Sequence, residues 1–184
     1  MRQRLLDGLA PTRYRRFLVY VMGPYKHHVE ENAEAFAFLE RVRDGLRDEG
    51  FNAFLATDVD VPLDEMDAGT QSVAFARASN VVLFVVRLDA DNLGVGIEVG
   101  AVLEDRSLAT PERVLFCHET GVRSAMIRAV ADRWDATVRT FDDEGDLLDE
   151  CRLFVRDVMR RETTGDLPFP PSGEQEREQR DEQE

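Results

Sequence analysis

This chain has few basic residues relative to its acids, and it has no long apolar run. Each of these shortages argues against a class of partner. Lys26 is the only lysine among 23 basic residues, which stand against 37 aspartates and glutamates. The net charge of −14 repels phosphate backbones and anionic lipid, which argues against a nucleic-acid polymer or a membrane surface as partner. No apolar run approaches the roughly 18 residues of a membrane-spanning helix. A small anionic ligand is still possible, because a local site can oppose the overall charge.

Cysteine is also rare. Cys117 lies in an apolar run and Cys151 in an amphipathic segment, with no C-x-x-C motif and no histidine at ligand spacing. Such residues are expected to be buried free thiols, which fit a reducing compartment. The amino terminus carries charge but no apolar stretch of signal length. These features predict a cytoplasmic protein without a metal.

Arginine supplies 22 of the 23 basic residues. An excess of acids with almost no lysine is typical of proteomes adapted to high salt, as in haloarchaea. A GC-rich genome that favours arginine codons, together with an acidic tail, gives the same composition. In either case the charge reports on the solvent rather than on the function.

Apolar patterning over the 184 residues predicts a single α/β domain. Five strands are expected at residues 17–22, 51–55, 80–86, 113–117 and 137–141. Helices are expected at 29–49, 63–78, from 93 onward, at 122–131 and at 147–161. Alternating strands and helices form a parallel sheet with helices on both faces. Residues 1–15 are expected to be a leader helix, 16–164 the domain, and 165–184 a disordered acidic tail.

Three polar or glycine-rich loops follow predicted strands, at residues 23–25, 57–60 and 87–96. Ligands of open parallel sheets bind beyond the carboxyl ends of the strands. The loops therefore predict one shared site at that edge of the sheet.

The end of the third loop and the residues after it contain Gly94, Gly96, Glu98 and Gly100 at alternate positions. It is not a dinucleotide-binding motif, because its spacing differs and it follows the third strand. The glycines would let a backbone approach a ligand or a neighbouring helix closely. Glu98 is expected in the first turn of a helix, whose positive end favours an ionised carboxylate. Such a carboxylate suits a glycosyl-transfer nucleophile, although a purely electrostatic role in the helix is the alternative.

Three segments together resemble a known superfamily: VYVMGPY at 19–25, ASNVV at 78–82 and DNLGVGIEVGA at 91–101. They are similar to the nucleoside 2-deoxyribosyltransferase-like superfamily. The last segment is especially similar to the deoxynucleoside 5'-monophosphate N-glycosidases within it. The resemblance covers about residues 17–120.

The resemblance implies a flavodoxin-like (Rossmannoid) three-layer sandwich with a five-stranded parallel sheet, often paired as a homodimer that shares its site. It implies no cofactor. Glu98 matches the nucleophile that attacks the anomeric carbon, and the substrate is a nucleoside or nucleotide. The matching substrate-binding positions are Gly23, Pro24 and Tyr25 beside the base and sugar, Asn92 at the base or phosphate, and Gly94 and Gly96 at the sugar or phosphate.

The sequence departs from the family where the acid that protonates the base is expected. Residues 71–75 contain no aspartate, and Asn80 stands where the family carries one. Asp58, which we also place in the substrate-binding set, Asp60 or Asp67 could substitute, or each could be a loop acid or a helix cap. The alternative function is therefore a non-catalytic nucleotide-binding or sensing domain, and a third is a regulatory partner protein.

Two basic groups near the same edge are weaker candidates for anion binding. Lys26, His27 and His28 follow the first strand and could hold a phosphate, or they could form a solvated loop. Arg87 ends the third strand and could bind an anion. An ion pair with Asp89 or Asp91 is the expected role of Arg87.

Overall fold

The computed structural model describes residues 1–24, 33–90, 93–104, 111–123 and 125–170. Within them, five strands form one sheet in the order β2-β1-β3-β4-β5, and every neighbouring pair is parallel. The strands are β1 (Tyr14–Met22), β2 (Phe51–Phe54), β3 (Val81–Val86), β4 (Val114–Glu119) and β5 (Thr137–Phe141). The predicted flavodoxin-like α/β class is confirmed.

Helices cover both faces of the sheet. They are α1 (Arg2–Gly8), α2 (Ala33–Asp48), α3 (Ala68–Ala78), α4 (Leu93–Glu104), α5 (Ala125–Trp134) and α6 (Glu144–Thr164). One core packs α1, α3, α4 and α5 against strand residues such as Leu18 and Tyr20. The other core packs α2 and α6 against their neighbours Val19 and Val21. Alternate strand residues point to opposite faces, so an all-apolar strand such as β3 serves both cores.

Local capping moves two helix ends away from the expected positions. Helix α3 begins at Ala68 rather than at residue 63, because the Asp67 carboxylate accepts a hydrogen bond from Thr70 N and caps the helix. Helix α6 begins three residues earlier than expected, because Asp143 caps it through Asp146 N. Side chains of this type satisfy amides that have no partner inside the helix.

The segment α1 is part of the folded core, since Leu5, Leu6 and Leu9 are buried in the α3–α5 layer. At the other end, Leu167 is buried in the core that contains α2 and α6. The division into residues 1–15, 16–164 and 165–184 stays a prediction, and most of the expected tail lies outside the described residues. None of the described helices combines the length and apolarity that crossing a bilayer requires.

The two cysteines are free and buried, as predicted. Cys117 on β4 and Cys151 on α6 pack in the same core. A hydrogen bond to Cys117 and burial raise the pKa of the Cys151 thiol, which keeps it protonated and unreactive.

Candidate active site

The strand order places the switch in winding direction between β1 and β3. The chain passes from β1 to β2 on one side and then returns to form β3 on the other side. Met22, the last residue of β1, pairs with Phe84 of β3, so Gly23, Pro24 and the chain that leads into α4 leave the sheet at the same edge. Crevices of this kind are the usual ligand sites of doubly wound sheets.

Glu98 lies at this edge on α4, in contact with α3. Val95 and Val99 bury one side of α4 against the sheet, and Glu98 between them is half-buried. Its Oε1 accepts a hydrogen bond of 3.1 Å from Ser72 Oγ on α3. The carboxylate is therefore held between two helices.

The predicted position of Glu98 in the first turn of its helix is wrong. Helix α4 begins at Leu93, so Glu98 is its sixth residue and lies in the second turn. The helix dipole acts within the first turn, which here contains no acidic residue. The state of this carboxyl group therefore depends on its burial and on Ser72.

Burial raises the pKa of the Glu98 carboxyl, and the hydrogen bond from Ser72 partly opposes that rise. The shift of Glu98 is opposite in direction to those of Asp44, Glu65 and Asp67, whose pKa values are lowered. Acids with perturbed pKa values are enriched at functional sites, so Glu98 is a candidate functional residue.

Ser72 is the functional candidate that sequence reasoning missed. It is 3% exposed and shares the buried face of α3 with Phe75 and Ala76. A hydroxyl on the buried face of the helix was the available signal, because buried polar groups require a partner. The identity of that partner, 26 residues away, could not be read from the pattern.

Gly23 and Pro24 lie at the crevice edge, where packing already accounts for the glycine. A Cβ on Gly23 would lie 2.7 Å from Leu39 Cδ2 and 3.1 Å from the carbonyl oxygen of Val85. Pro24 is buried. The absence of a side chain at Gly23 therefore lets the end of β1 pack closely against α2 and β3.

The remaining loop positions divide between described and undescribed residues. Gly94 lies in the first turn of α4. Gly96 is exposed, and a Cβ added there would have no atom within 4 Å. No neighbouring helix in the described part of the chain requires Gly96 to be a glycine. Tyr25, Asn92, and the Lys26-His27-His28 group lie outside the described residues.

Asp58 is not brought to Glu98. Its carboxylate accepts hydrogen bonds from Arg43 Nη1 at 2.7 Å, from Arg47 Nη2 at 3.1 Å and from Leu55 N at 3.0 Å. Both arginines belong to α2, which covers the face of the sheet opposite to α4. Asp58 therefore joins α2 to the segment after β2.

The other residues considered as the proton donor or as an anion-binding group either have partners within the protein or are exposed. Asp67 caps α3, and hydrogen bonds from Thr70 lower the pKa of its carboxyl. Asp60 is exposed. Arg87 donates a hydrogen bond of 2.8 Å to Asp89, which confirms the predicted ion pair. Its guanidinium also lies 4.6 Å from the centre of the Phe38 ring.

No set of three or more histidine, cysteine, aspartate or glutamate side chains is arranged to hold a metal ion within the described ranges. Asn80, which replaces an expected aspartate, is buried at the opposite edge of the sheet. Its Oδ1 accepts from Leu18 N at 2.9 Å, and its amide donates to Glu162. Its role is therefore structural.

The fold and the site together define a flavodoxin-like α/β protein with a half-buried glutamate at the switch point. The fold is similar to that of the CMP N-glycosidase of Clostridium botulinum, with a TM-score of 0.51 at 10% identity. The alignment covers 74% of this chain and 98% of that one. At this identity the likeness shows the fold alone. No curated protein matches the sequence.

A protein-family model matches residues 26–170 of the sequence. The chain belongs to the DUF7509 family, which is described as a domain of unknown function.

Proposed function

We propose that this protein cleaves the N-glycosidic bond of a nucleoside or nucleotide, with Glu98 as the nucleophile. The observation that carries the proposal is the half-buried Glu98 carboxyl, held by Ser72 between α3 and α4 at the switch point of the sheet. The similar structure from Clostridium botulinum is a CMP N-glycosidase, which supports the choice of a nucleotide as substrate class.

In the proposed reaction, a carboxylate oxygen of Glu98 attacks the anomeric carbon of the sugar. The bond from that carbon to the base breaks, and its electron pair goes to the base nitrogen, which takes up a proton. Water then attacks the glycosyl ester, releases the sugar and restores the carboxylate. Transfer to a second base instead of water would make the protein a 2-deoxyribosyltransferase.

Ser72 is the proposed positioning residue. Its hydroxyl donates to Oε1 of Glu98, so it orients the carboxylate and stabilises the charged form that attacks. Ser72 lies within residues 71–75, where the resemblance leads one to expect an acid. The hydroxyl can hold the nucleophile, but it does not replace a carboxylic acid as the proton donor for the base.

A second candidate function is nucleotide binding without turnover. The observation that favours it concerns the acids considered as proton donors: Asp58 is paired with two arginines, and hydrogen bonds lower the pKa of Asp67. A domain that binds a nucleotide for sensing needs the crevice but not the acid.

The test is release of free base from a panel of nucleosides and nucleoside monophosphates, followed by chromatography in high salt. High salt screens the charge of −14 and keeps an acidic chain compact. Glu98→Gln should abolish release while retaining the fold, as judged by circular dichroism. The matched control is Glu104→Gln on the same helix, where the exposed carboxylate pairs with exposed Arg133.

Each result separates the two functions. Base release that requires Glu98 supports the enzyme. A rise in melting temperature with ligand but without product supports the binding domain, and release that survives Glu98→Gln contradicts the proposed nucleophile.

The homodimer implied by the resemblance is part of this proposal. Ile97, next to Glu98 on α4, is 68% exposed, and Gly96 beside it is also exposed. A second subunit that covered this surface would bury apolar area close to the nucleophile. Sedimentation velocity over a range of protein concentrations measures the association directly.

A further inference from the structure

A cavity of about 670 Å³ opens at the amino-terminal edge of the sheet, away from Glu98. It lies beside the start of β1, the residue before β3 and the end of α6. Its cationic residues are Arg2, Arg13, Arg15 and Arg16. We call this feature the arginine cavity.

An irregularity in β1 presents these arginines. Tyr14 pairs with Phe51, but the next pair is Leu18 with Asn52, so three residues of β1 face no residue of β2. A bulge of this kind bends a strand and redirects its side chains, and bulges are over-represented near functional sites. Here the bulge contains Arg15 and Arg16, both exposed.

Polar side chains from other elements hold the bulge in place. Asn52 Nδ2 donates a hydrogen bond of 2.7 Å to the carbonyl oxygen of Arg15. The guanidinium of Arg2 donates to the carbonyl oxygen of Arg16 and to Asn80 Oδ1. The cavity wall is therefore an ordered structure, because side chains donate hydrogen bonds to the carbonyl groups of its irregular backbone.

The charge of the cavity is opposite to that of the protein as a whole. Its acidic lining residue is Glu162, which is 4% exposed and already pairs with buried Arg113 and with the Asn80 amide. In the described part of the chain, neither Arg13 nor Arg16 has a carboxylate partner. Positively charged groups gathered in a concave surface concentrate anions.

Aromatic side chains line the same cavity. Tyr14 and Phe169 both contribute, and Phe169 is 69% exposed. The guanidinium of Arg13 lies 5.1 Å from the centre of the Tyr14 ring. An exposed ring beside several guanidiniums matches a ligand that combines a flat heterocycle with phosphates.

We propose that the arginine cavity binds a nucleoside diphosphate or a closely similar phosphorylated heterocycle. Arg13 and Arg16 hold the phosphates, and Phe169 stacks on the ring. The site is separate from Glu98, so it does not depend on the proposed glycosidase activity. A ligand bound there would contact β1, α1 and the end of α6.

The probe is ADP, titrated calorimetrically into the full chain at fixed ionic strength. The double variant Arg13→Gln/Arg16→Gln should weaken ADP binding by about tenfold or more, since it removes two charge-assisted contacts. The matched control is Arg133→Gln/Arg156→Gln, which removes the same charge from exposed surface ion pairs and should leave the affinity unchanged. Equal losses in both double variants would mean unspecific attraction and overturn the proposal.

Two further probes test the parts of the ligand. Pyrophosphate should bind more weakly than ADP, and Phe169→Ser should weaken ADP but not pyrophosphate. Adenosine that binds as tightly as ADP would overturn the role of the phosphates.

Two more variants test where the ligand binds. Glu98→Gln should retain ADP binding. Loss of binding in that variant alone would show that ADP binds near Glu98, and it would overturn the proposal.

Glu174, Glu176 and Glu178 lie shortly after the cavity residue Pro170 in the chain. Binding that appears only when these three are changed to glutamine would make the acidic segment the occupant and overturn the proposal. No binding of ADP to any variant would overturn it as well.

Discussion

At the scale of single residues, the Glu98 carboxyl is subject to two opposing influences. Burial raises its pKa, and the hydrogen bond from Ser72 lowers it. A nucleophilic carboxylate must be ionised, so both influences act directly on the proposed reaction.

Ser72→Ala should move the acid limb of the base-release profile to higher pH. The variant removes the hydrogen bond that stabilises the ionised form, so the pKa of Glu98 rises further and a higher pH is needed to ionise it. The measurement is the pH dependence of kcat. Ser79→Ala is the matched control, because Ser79 Oγ donates to the carbonyl of Phe75 and does not touch Glu98. An unshifted profile in Ser72→Ala would contradict the positioning role.

Glu98→Gln should raise the melting temperature near neutral pH. The raised pKa of Glu98 favours the protonated form in the folded state, so its contribution to stability is full below the unfolded pKa and is lost as pH rises through the folded pKa. The gain should be roughly 1–3 °C, as for a change of under 1 kcal/mol in a chain of this size. It should disappear in acid, where glutamate is protonated in both states.

Thermal unfolding over a pH series measures this difference. The control Glu104→Gln should show no comparable pH-dependent gain, because that carboxylate is exposed. A Glu98→Gln variant that is less stable than the parent at neutral pH would contradict the expected cost of burying the charge.

At the scale of elements, Asp58 joins α2 to the segment after β2. Asp58→Asn should lower the free energy of unfolding by about 1–3 kcal/mol, because hydrogen bonds to two arginines lose a charged acceptor. Chemical denaturation measures the change. Asp44→Asn is the control, since Asp44 pairs with Arg43 but is largely exposed, and it should cost under about 1 kcal/mol. Substrate affinity lost without any loss of stability would instead support Asp58 as a substrate-binding residue.

Helix α4 offers a test that separates stability from function. Gly96→Ala should stabilise the protein by about 0.5–1 kcal/mol, because the site is helical and an added Cβ meets no atom within 4 Å. If the backbone at Gly96 must approach a substrate, the same variant should lose activity. Gly100→Ala is the control, with equally open space on the same helix. Gly96→Ala that leaves both substrate affinity and kcat unchanged would contradict the substrate-binding role.

At the scale of the whole molecule, the charge of −14 predicts a dependence on salt. Like charges repel one another more in the compact state, and added salt screens that repulsion. The melting temperature should therefore rise with KCl concentration. Sucrose at equal osmolality is the control for solute exclusion, and a melting temperature that KCl does not change would contradict the expectation. Adaptation to high salt stays a prediction.

The fold could be predicted well because its signals are local. Apolar runs identified all five strands of the described sheet, and β5 was predicted at the observed boundaries, Thr137–Phe141. Helix ends were less accurate, as at α3, because a single cap such as Asp67 decides where a helix begins. Helix α4 begins at Leu93, as expected, but its first turn ends before Glu98, so the position expected for Glu98 within the helix was wrong.

The candidate site could be predicted only in part. The alternating glycines drew attention to Glu98, but its hydrogen bond to Ser72 depends on how α3 packs against α4. Asp58 shows the opposite case, since its position after a strand fitted a ligand site, while its distances to Arg43 and Arg47 reveal a structural role.

The sequence alone therefore determined the class of the fold and the edge of the sheet where a site was expected. Both depend on neighbouring residues, namely on apolar periodicity and on the loops that follow each strand. Tertiary structure decided which groups share an environment. It paired Ser72 with Glu98, engaged Asp58 with α2 and gathered four arginines at one cavity of an acidic protein. Local periodicity does not report such contacts, because burial and charge act through distances in space.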